Sequence, residues 1–500
     1  MSLSAAFNII SSSFGANAAQ VATVAGNIAN ANTTGYSREI ANVLTNGSGG
    51  AEVVSVTRVA NAALTEQAAM ATSQAAAQQA IANGLATLAS TVSDSASSTS
   101  TSGANANGNS PSAMLANLEN ALTTYEAAPS STSAGDAVVT AAQQLVSALS
   151  SGAAAVQSVR EQADQNMASS VDTINSLLAQ FTDANNAVIS GLATGANVAS
   201  VEDQRDSIVS QLSSQIGVST TVATNGSMAI YTDSGVTLFQ DLPRTVSFAA
   251  SAALPDGASG AAVVVDGRPV TGPNATLPIQ SGALTGYAAL RDTLAPQYEA
   301  QLDQIAAGLI NAFAESDQST SPTLASLPGL FTANGLTSLP AMSAATGLAA
   351  AIVVNANADP SQGGDVTRIR DGEISDPGNS AYLYNTTGAA GYSTRIQSLV
   401  SALSATQSFD PSAGLGASAG LSDYANASVS WLQAENQQAS NASDYQNALS
   451  TQASSALSNA TGVNLDQEMT QMLALENTYA SSAKLLTTVT AMFQALLDAA

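Results

Sequence analysis

The chain has 500 residues and a formal net charge of −25, with 36 acidic residues against 11 basic ones. A surface this acidic repels nucleic acid and anionic lipid, so neither is expected as a partner. The sequence contains no histidine and no cysteine, which excludes a Ser–His catalytic pair.

The composition is typical of a subunit whose surfaces are largely buried in an assembly, and it is compatible with an extracellular or a cytosolic location. A chain of this length predicts two to four domains. Charged residues make up only 9% of it, which suits a protein whose surfaces are covered by copies of itself. The absence of cysteine is compatible with an extracellular location. The N-terminus lacks the basic and apolar regions of a Sec signal peptide. The sequence has no run of about 18 apolar residues, so no membrane span is expected.

The first 37 residues contain no charged side chain, and Arg38 is the first. Apolar residues recur there at spacings of three and four, which predicts a helix with one apolar face that only Asn17 interrupts. Because an exposed helix normally carries charges on its other face, we expect this one to be covered on most sides. The apolar residues are Leu3, Phe7, Ile10, Phe14, Val21, Val24 and Ile28.

A motif rich in asparagine, residues 27–39, predicts the end of this helix. It resembles the N-terminal signature of the flagellar rod, hook and hook-associated axial proteins. This chain has Thr34 where that signature usually has proline, and Glu39 where it usually has glutamine. The residues that carry the resemblance are Asn27, Ile28, Asn30, Asn32, Gly35, Tyr36, Ser37 and Arg38.

The next segments alternate between extended and helical patterns. Weak alternation over 40–60 predicts a short extended segment or a hairpin around Asn46-Gly47. Residues 61–92 and 112–126 have the apolar spacing of helices, and the Ser/Thr/Asn/Gly-rich stretch 93–112 is a low-complexity loop.

Residues 136–194 predict the longest helix. Its apolar residues fall into two phases, and the slip between them indicates a stutter or a bend near Arg160–Asp164. A helix over 200–215 follows. Its Asp203 and Asp206 are three positions apart beside an arginine, so they are expected on a solvated helix face rather than in a catalytic carboxylate pair.

Residues 217–280 change character, because short β-branched runs are separated by Asn-Gly and Asp-Gly turns that are typical of hairpins. Residues 317–380 are rich in Pro, Gly and Asp, and we expect them to complete this β-rich part. The remaining apolar patterns predict helices over 284–315, 392–404 and 421–459.

The last predicted helix spans 463–500, and its apolar residues repeat every seven positions. Because the chain begins and ends with apolar helical faces of the same type, we expect the two ends to pair. The repeat and its flanking positions comprise Leu465, Met469, Met472, Tyr479, Leu486, Val489, Phe493 and Leu497.

These elements predict a mainly α, multi-domain fold in which paired terminal helices form a coiled coil and a β-rich domain is inserted. The predicted terminal coiled-coil domain comprises 1–37 and 463–500. The other two are a helical-bundle domain of 38–215, 284–316 and 392–462, and a β-rich outer domain of 216–283 and 317–391.

Further motifs resemble the hook-associated protein 1 family. They are Thr461–Thr470, Tyr479–Val489, Asp203-Gln-Arg-Asp206 and the helix Leu284–Phe313. Together with the N-terminal motif they cover about a third of the chain in the family's order. The family's Gln-rich stretch before Tyr479 is replaced here by Leu473-Ala-Leu-Glu-Asn477.

The resemblance implies a structural protein at the hook–filament junction of the bacterial flagellum, secreted unfolded through the flagellar type III export apparatus. Its expected partners are further copies of itself, the hook protein, the next hook-associated protein and an export chaperone at the C-terminal helix. No cofactor, metal ion or catalytic residue is expected. The terminal helices would form the inner tube, with the assembly interface Leu3, Phe7, Ile10, Phe14, Val21, Val24, Ile28, Leu465, Met469, Met472, Tyr479, Leu486, Val489, Phe493 and Leu497.

Other functions remain as alternatives. Gly416-Ala-Ser418-Ala-Gly420 fits the nucleophile-elbow pattern of hydrolases, but without histidine and a flanking strand it does not predict catalysis. Flagellin would share the paired terminal helices, and a hook or distal-rod protein would share the N-terminal motif. A secreted adhesin or a type III translocator is a more distant alternative, since adhesins usually carry a Sec signal and translocators usually carry apolar membrane segments.

Overall fold

A computed structural model of the chain describes residues 3–47, 49–92, 108–251 and 253–498. Helices dominate this part of the chain. Its α-helices are α1 (Leu3–Ala29), α2 (Ala62–Ser90), α3 (Pro111–Ala127), α4 (Thr132–Thr194), α5 (Ala199–Gln215), α6 (Ala283–Ala289), α7 (Ala295–Ala312), α8 (Leu348–Ala351), α9 (Arg368–Asp371), α10 (Thr394–Ser404), α11 (Leu421–Thr461) and α12 (Leu465–Asp498).

The strands are short and all pair antiparallel. They are β1 (Glu39–Thr45), β2 (Ala51–Arg58), β3 (Val218–Val222), β4 (Met228–Thr232), β5 (Thr237–Gln240), β6 (Leu242–Pro243), β7 (Val246–Ser247), β8 (Val264–Val265), β9 (Arg268–Pro269), β10 (Phe331–Ala333), β11 (Ile352–Val354), β12 (Gln407–Ser408) and β13 (Ser418–Ala419).

The two ends of the chain pack against each other. Helices α1 and α12 run antiparallel, because Asn27 near the end of α1 contacts Glu468 near the start of α12. Nearer the start of α1, Phe14 packs edge-on against Tyr479, with ring centroids 5.0 Å apart. The predicted pairing of the terminal helices is confirmed.

The hairpin of β1 and β2 covers another side of α1. At its turn, Asn46 N donates to Gly50 O at 2.7 Å, next to the predicted Asn46-Gly47 pair. The tip reaches the first half of α1, where a Cβ at Gly50 would lie 2.0 Å from Ser12 Oγ. Helix α1, which carries no charge of its own, is therefore covered by α12 and by the hairpin.

Helix α4 spans 63 residues, about 95 Å at 1.5 Å per residue, and it is shared by two apolar cores. Its first half, up to Ala163, contributes to a core shared with α2, α3, α7, α10 and α11. Its second half, from Met167, contributes to a core shared with α5 and the strands β4, β5, β7 and β8. The phase slip predicted near Arg160–Asp164 therefore falls where one core ends and the other begins, inside a continuous helix.

The β-rich insertion between α5 and α6 contains two sheets, with strand orders β3-β4-β5-β6 and β7-β8-β9. The Asn225-Gly226 turn joins β3 to β4, and Gly226 has a φ of +83°, which glycine adopts without strain. The sequence predicts that residues 317–391 belong to the same β-rich domain as this insertion. In the structure, the buried apolar side chains of 330–374 lie instead in the first core, together with the helices.

The fold class is the predicted one: mainly α, multi-domain, with a β-rich insertion. Helix α6 continues into α7 through a single π-helical turn, Leu290–Leu294. Most of the predicted low-complexity loop, residues 93–107, lies outside the described residues, and α3 begins at Pro111 with Ser110 accepting a hydrogen bond from Ala113 N.

Candidate functional site

The end of α1, the following loop and the start of α12 meet in a polar junction centred on Asn27. The Asn27 amide donates to Glu39 O (2.9 Å) and to Glu468 Oε2 (3.0 Å). Its oxygen accepts from Glu39 N (2.9 Å) and from the Tyr36 hydroxyl (3.0 Å). Asn27 is almost fully buried, so this one side chain fixes the course of the loop relative to both terminal helices.

The charge pair of Arg38 and Glu468 closes the junction. The Glu468 side chain is fully buried and pairs with Arg38 Nε at 2.5 Å. Arg38 also donates to Gln471 Oε1 (3.2 Å), and its backbone N–H donates to Thr461 O (2.8 Å). A buried carboxylate is strongly unfavourable without its partner. Formation of the junction therefore requires the N-terminal motif and the C-terminal motif together.

The remaining motif residues shape the loop. Gly35 has a φ of +81°, a conformation that side chains disfavour. Burial raises the pKa of Tyr36 to about 12, and the nearby carboxylates of Glu39, Asp203 and Glu468 add to the shift. Tyr36 therefore stays protonated and able to donate to Asn27. Asn30 donates to Gly26 O and caps the last turn of α1, whereas Asn32 is exposed.

A second cluster ties this loop to α5. Arg58, the last residue of β2, contacts Glu202 Oε2 (3.0 Å), Asp203 Oδ1 (2.9 Å) and Asp206 Oδ2 (2.7 Å). Burial would lower the pKa of Arg58, but these carboxylates raise it above its ordinary value. Asp203 also accepts the Ser37 backbone N–H at 2.8 Å.

The expectation of a solvated face at Asp203 and Asp206 is therefore wrong. Their side chains are only 11% and 23% exposed, because the hairpin folds Arg58 over them. Arg205, between them, is buried and donates to Asn185 Oδ1 (3.3 Å) and Gly226 O (2.6 Å). The three residues connect the terminal junction, α4 and the β-rich insertion.

The predicted interface residues lie along the α1–α12 pair, and several remain exposed in the single chain. Val24 and Val489 are buried. Leu3, Ile10, Phe14, Val21, Ile28, Met472 and Leu486 are partly covered. Large apolar side chains that face outward are Phe7, Leu465, Met469, Leu473, Tyr479, Leu485, Met492, Phe493, Leu496 and Leu497.

Phe7 and Phe493 line a groove between the two helices, with Ser4, Asn8 and Thr490 at its sides and a volume of about 300 Å³. Between this groove and the polar junction, Asn17 is buried and donates to Leu475 O at 3.0 Å. Asn17 is thus a hydrogen-bonded contact between the helices, which explains a polar residue in an apolar seam.

Some residues of this site were not identified from the sequence. Glu468 lies in the C-terminal motif, but its role as partner of Arg38 was not predicted, and neither was that of Arg58. The scarcity of charge could have pointed to Glu468. Arg38 is the first charged residue of the chain, and residues 1–37 contain no carboxylate to pair with it, so its partner had to come from another segment.

The segment Gly416–Gly420, which fits the nucleophile-elbow pattern, does not place its serine on the strand-to-helix turn of a hydrolase nucleophile. Ser418 is exposed and lies in the two-residue strand β13, which pairs with β12 just before α11. Within the described ranges, no cluster of acidic side chains has the arrangement of a metal site. In that same part of the chain, no helix is long and apolar enough to cross a bilayer.

Two families match the sequence. Residues 104–323 match the helical domain of the flagellar hook-associated protein FlgK, and residues 454–499 match the C-terminal region of the flagellar basal body rod FlgEFG proteins. The second match contains α12 and Glu468, which complete the junction described above. The match to the FlgK helical domain covers 220 of the 500 residues. Together the two matches support a structural component of the bacterial flagellum that resembles the hook-associated protein FlgK.

A solved structure is also similar to this chain: the flagellar hook junction protein FlgK from Burkholderia pseudomallei. The sequences are 22% identical and the TM-score is 0.42. The similarity covers 54% of this chain and 47% of that protein, so it spans about half of the length of each. No curated protein matches the sequence.

Proposed function

We propose that the chain is a structural axial component of the flagellum at the junction between hook and filament. The two family matches support the flagellar location. The single observation that carries the assembly role is the α1–α12 pair, which leaves ten large apolar side chains facing outward. Large apolar side chains that are exposed in such number along one helix pair commonly mark an interface with a partner.

The occupant of this surface is further subunits. The chain carries a net charge of −25, so copies repel each other over most of their surface. Residues 1–37 carry no charge, and between Asn477 and Leu497 the only charged side chain is Lys484. Two copies therefore approach with least repulsion through their terminal helices. The proposed interface is the set of fifteen apolar residues predicted from the sequence, of which Val24 and Val489 are already buried within the subunit.

The terminal helices also suggest how the chain is exported and which proteins it contacts. The chain would pass unfolded through the flagellar type III apparatus, because helices without charge pairs and with Gly15 and Gly26 inside them have little stability before they pack. An export chaperone would cover the C-terminal helix until then. The hook protein and the next hook-associated protein would contact the assembled ring from its two sides, outside the cell.

The location can be tested by immunogold labelling of isolated flagella with an antibody against the β-rich insertion, residues 217–280. We expect gold only at the boundary between hook and filament. Labelling along the filament would instead support a flagellin, labelling along the hook or rod would support a hook or rod protein, and label on the cell surface without flagella would support an adhesin. Each of these three patterns contradicts the proposal.

A further inference from the structure

The segment between β7 and β8 leaves the second core, reaches the first and returns, and we call its residues 253–261 the strap. Both flanking strands belong to the second core. Leu254 of the strap is buried, and its carbonyl accepts from Gln157, in the first-core half of α4, at 2.8 Å. A Cβ at Gly257 would lie 3.2 Å from the methyl group of Thr346, which adjoins a buried first-core residue in the chain. The strap therefore carries the β-rich insertion onto the helical core.

Two fully buried arginines lie beneath the strap and bind its carbonyl groups. Arg160 of α4 donates to Pro255 O (3.4 Å) and to the carbonyl of Ala258. Arg291, in the π-helical turn between α6 and α7, donates to Ala261 O at 2.8 Å. Each of these hydrogen bonds has a charged donor, so it is stronger than a bond between neutral groups. Charged side chains thus hold the strap in place of a strand ladder.

Carboxylates of the same helical segments bind N–H groups of the strap and of the residues before it. Asp292 Oδ1 accepts from Gly260 N at 3.0 Å, and Asp164 Oδ2 accepts from Ser251 N at 2.7 Å. Both carboxylates also pair with Arg291. A Cβ at Gly260 would lie 2.3 Å from Arg291 Cζ. Because the two carboxylates fix Arg291, a larger side chain at position 260 would push the strap off the helices.

The helices that run through the boundary do not by themselves join the two cores. Helix α4 passes from one core to the other, and α6 continues into α7. A helix loses residues from its end one at a time, and each loss breaks only the hydrogen bond of that residue. The second half of α4 would therefore be free to unfold while its first half stays folded. The strap differs, because it belongs to one core and is bound by side chains of the other.

We propose that the strap is a clasp that makes the two cores one cooperative folding unit. Unfolding of the second core pulls the strap away, which breaks its bonds to Arg160, Arg291 and Asp292 together. Unfolding of the first core removes these side chains, and the strap's carbonyl groups lose their partners. Neither core unfolds while the clasp stays closed. The clasp is a property of the single subunit and does not depend on the flagellar role.

Urea unfolding of the full chain tests the clasp with one probe in each core. The single tryptophan, Trp431, packs against the first core, so its fluorescence reports that core. The chain has no cysteine, so Ala184→Cys places one thiol in the second core, where Ala184 is buried. A brief maleimide pulse labels this thiol only after the second core opens. In this reference chain, the two probes should give the same urea midpoint.

Gly260→Val, added to the reference chain, should open the clasp and separate the two midpoints. The second core is the smaller one, so the thiol should become labelled at a urea concentration about 1–2 M below the Trp431 transition. Arg160→Met removes two bonds to the strap without adding bulk, and it should separate the midpoints in the same direction.

Gly416→Val is the matched control for the glycine substitution, because a Cβ at the exposed Gly416 would meet no atom of the described residues within 4 Å. Arg244→Met breaks an exposed ion pair with Asp266 and is the control for the arginine. Both controls should keep coincident midpoints. Separate midpoints in the reference chain would overturn the proposal, as would coincident midpoints in Gly260→Val or Arg160→Met. If one of these two variants does not fold, the other decides the question.

Discussion

Replacing Phe7 by Asp should leave cells with hooks but without filaments. Phe7 is 42% exposed in the single chain, so the subunit should still fold and be exported. In the assembly, the new carboxylate would have to be buried without a partner in the groove beside Phe493, at a cost of several kcal/mol in every subunit. Electron microscopy of the cells, with immunoblots for the subunit and filament protein in the medium, provides the measurement.

Met70→Asp is the matched control, because Met70 is 53% exposed on α2, outside the terminal helices. The same chemical change there should leave filaments in place. Phe493 forms the other wall of the groove. Phe493→Ala should weaken the association between subunits by about 3–5 kcal/mol if Phe493 becomes fully buried in the assembly. Normal filaments on Phe7→Asp cells would show that the terminal helices are not the assembly interface.

Replacing Arg38 by Ala should separate the two ends of the chain. The Glu468 side chain is fully buried, and removing the partner of a buried charge costs roughly 3–5 kcal/mol. Hydrogen exchange of residues 465–476 in the free chain should accelerate by about 100-fold or more, since each 1.4 kcal/mol is a factor of ten. Exchange in α3, far from the junction, should not change.

The double variant Arg38→Ala/Glu468→Gln distinguishes loss of the charge pair from loss of the arginine side chain. A neutral glutamine does not leave a buried charge, and it can still accept from Asn27. We expect much of the protection to return. If Arg38→Ala alone leaves the exchange of residues 465–476 unchanged, the charge pair does not hold the terminal helices together.

The helices could be predicted because their signals are local. Helix α2 begins after Asn61, α3 after Ser110 and α4 after Ser131, and each of these side chains caps its helix by accepting a backbone N–H. The hairpin followed from Asn46-Gly47 in the same way. Periodicity then gave the apolar faces, and the matching faces of the first and last helices were enough to predict their pairing.

The polar contacts could not be predicted because they join residues far apart in the chain. Arg58 and Asp203 are 145 positions apart, and Arg38 and Glu468 are 430 apart. Arginine is rarely buried, so nothing local marks Arg160 and Arg291 as interior residues. The packing of 330–374 against helices was also hidden, since its short apolar runs have no helical or strand period long enough to assign a partner.

Oxidation of the chain's own methionines tests most directly the claim that subunits assemble through their terminal helices. Met469 and Met492 of α12 are 55% and 54% exposed in the single chain, close to Met70 of α2 at 53%. Isolated flagella and the free subunit would be treated briefly with hydrogen peroxide, which converts accessible methionine to its sulfoxide, and compared by mass spectrometry. We predict that all three methionines oxidise at similar rates in the free subunit, and that Met469 and Met492 become strongly protected relative to Met70 in flagella. Oxidation of Met469 and Met492 at the same rate in flagella as in the free subunit would contradict the account.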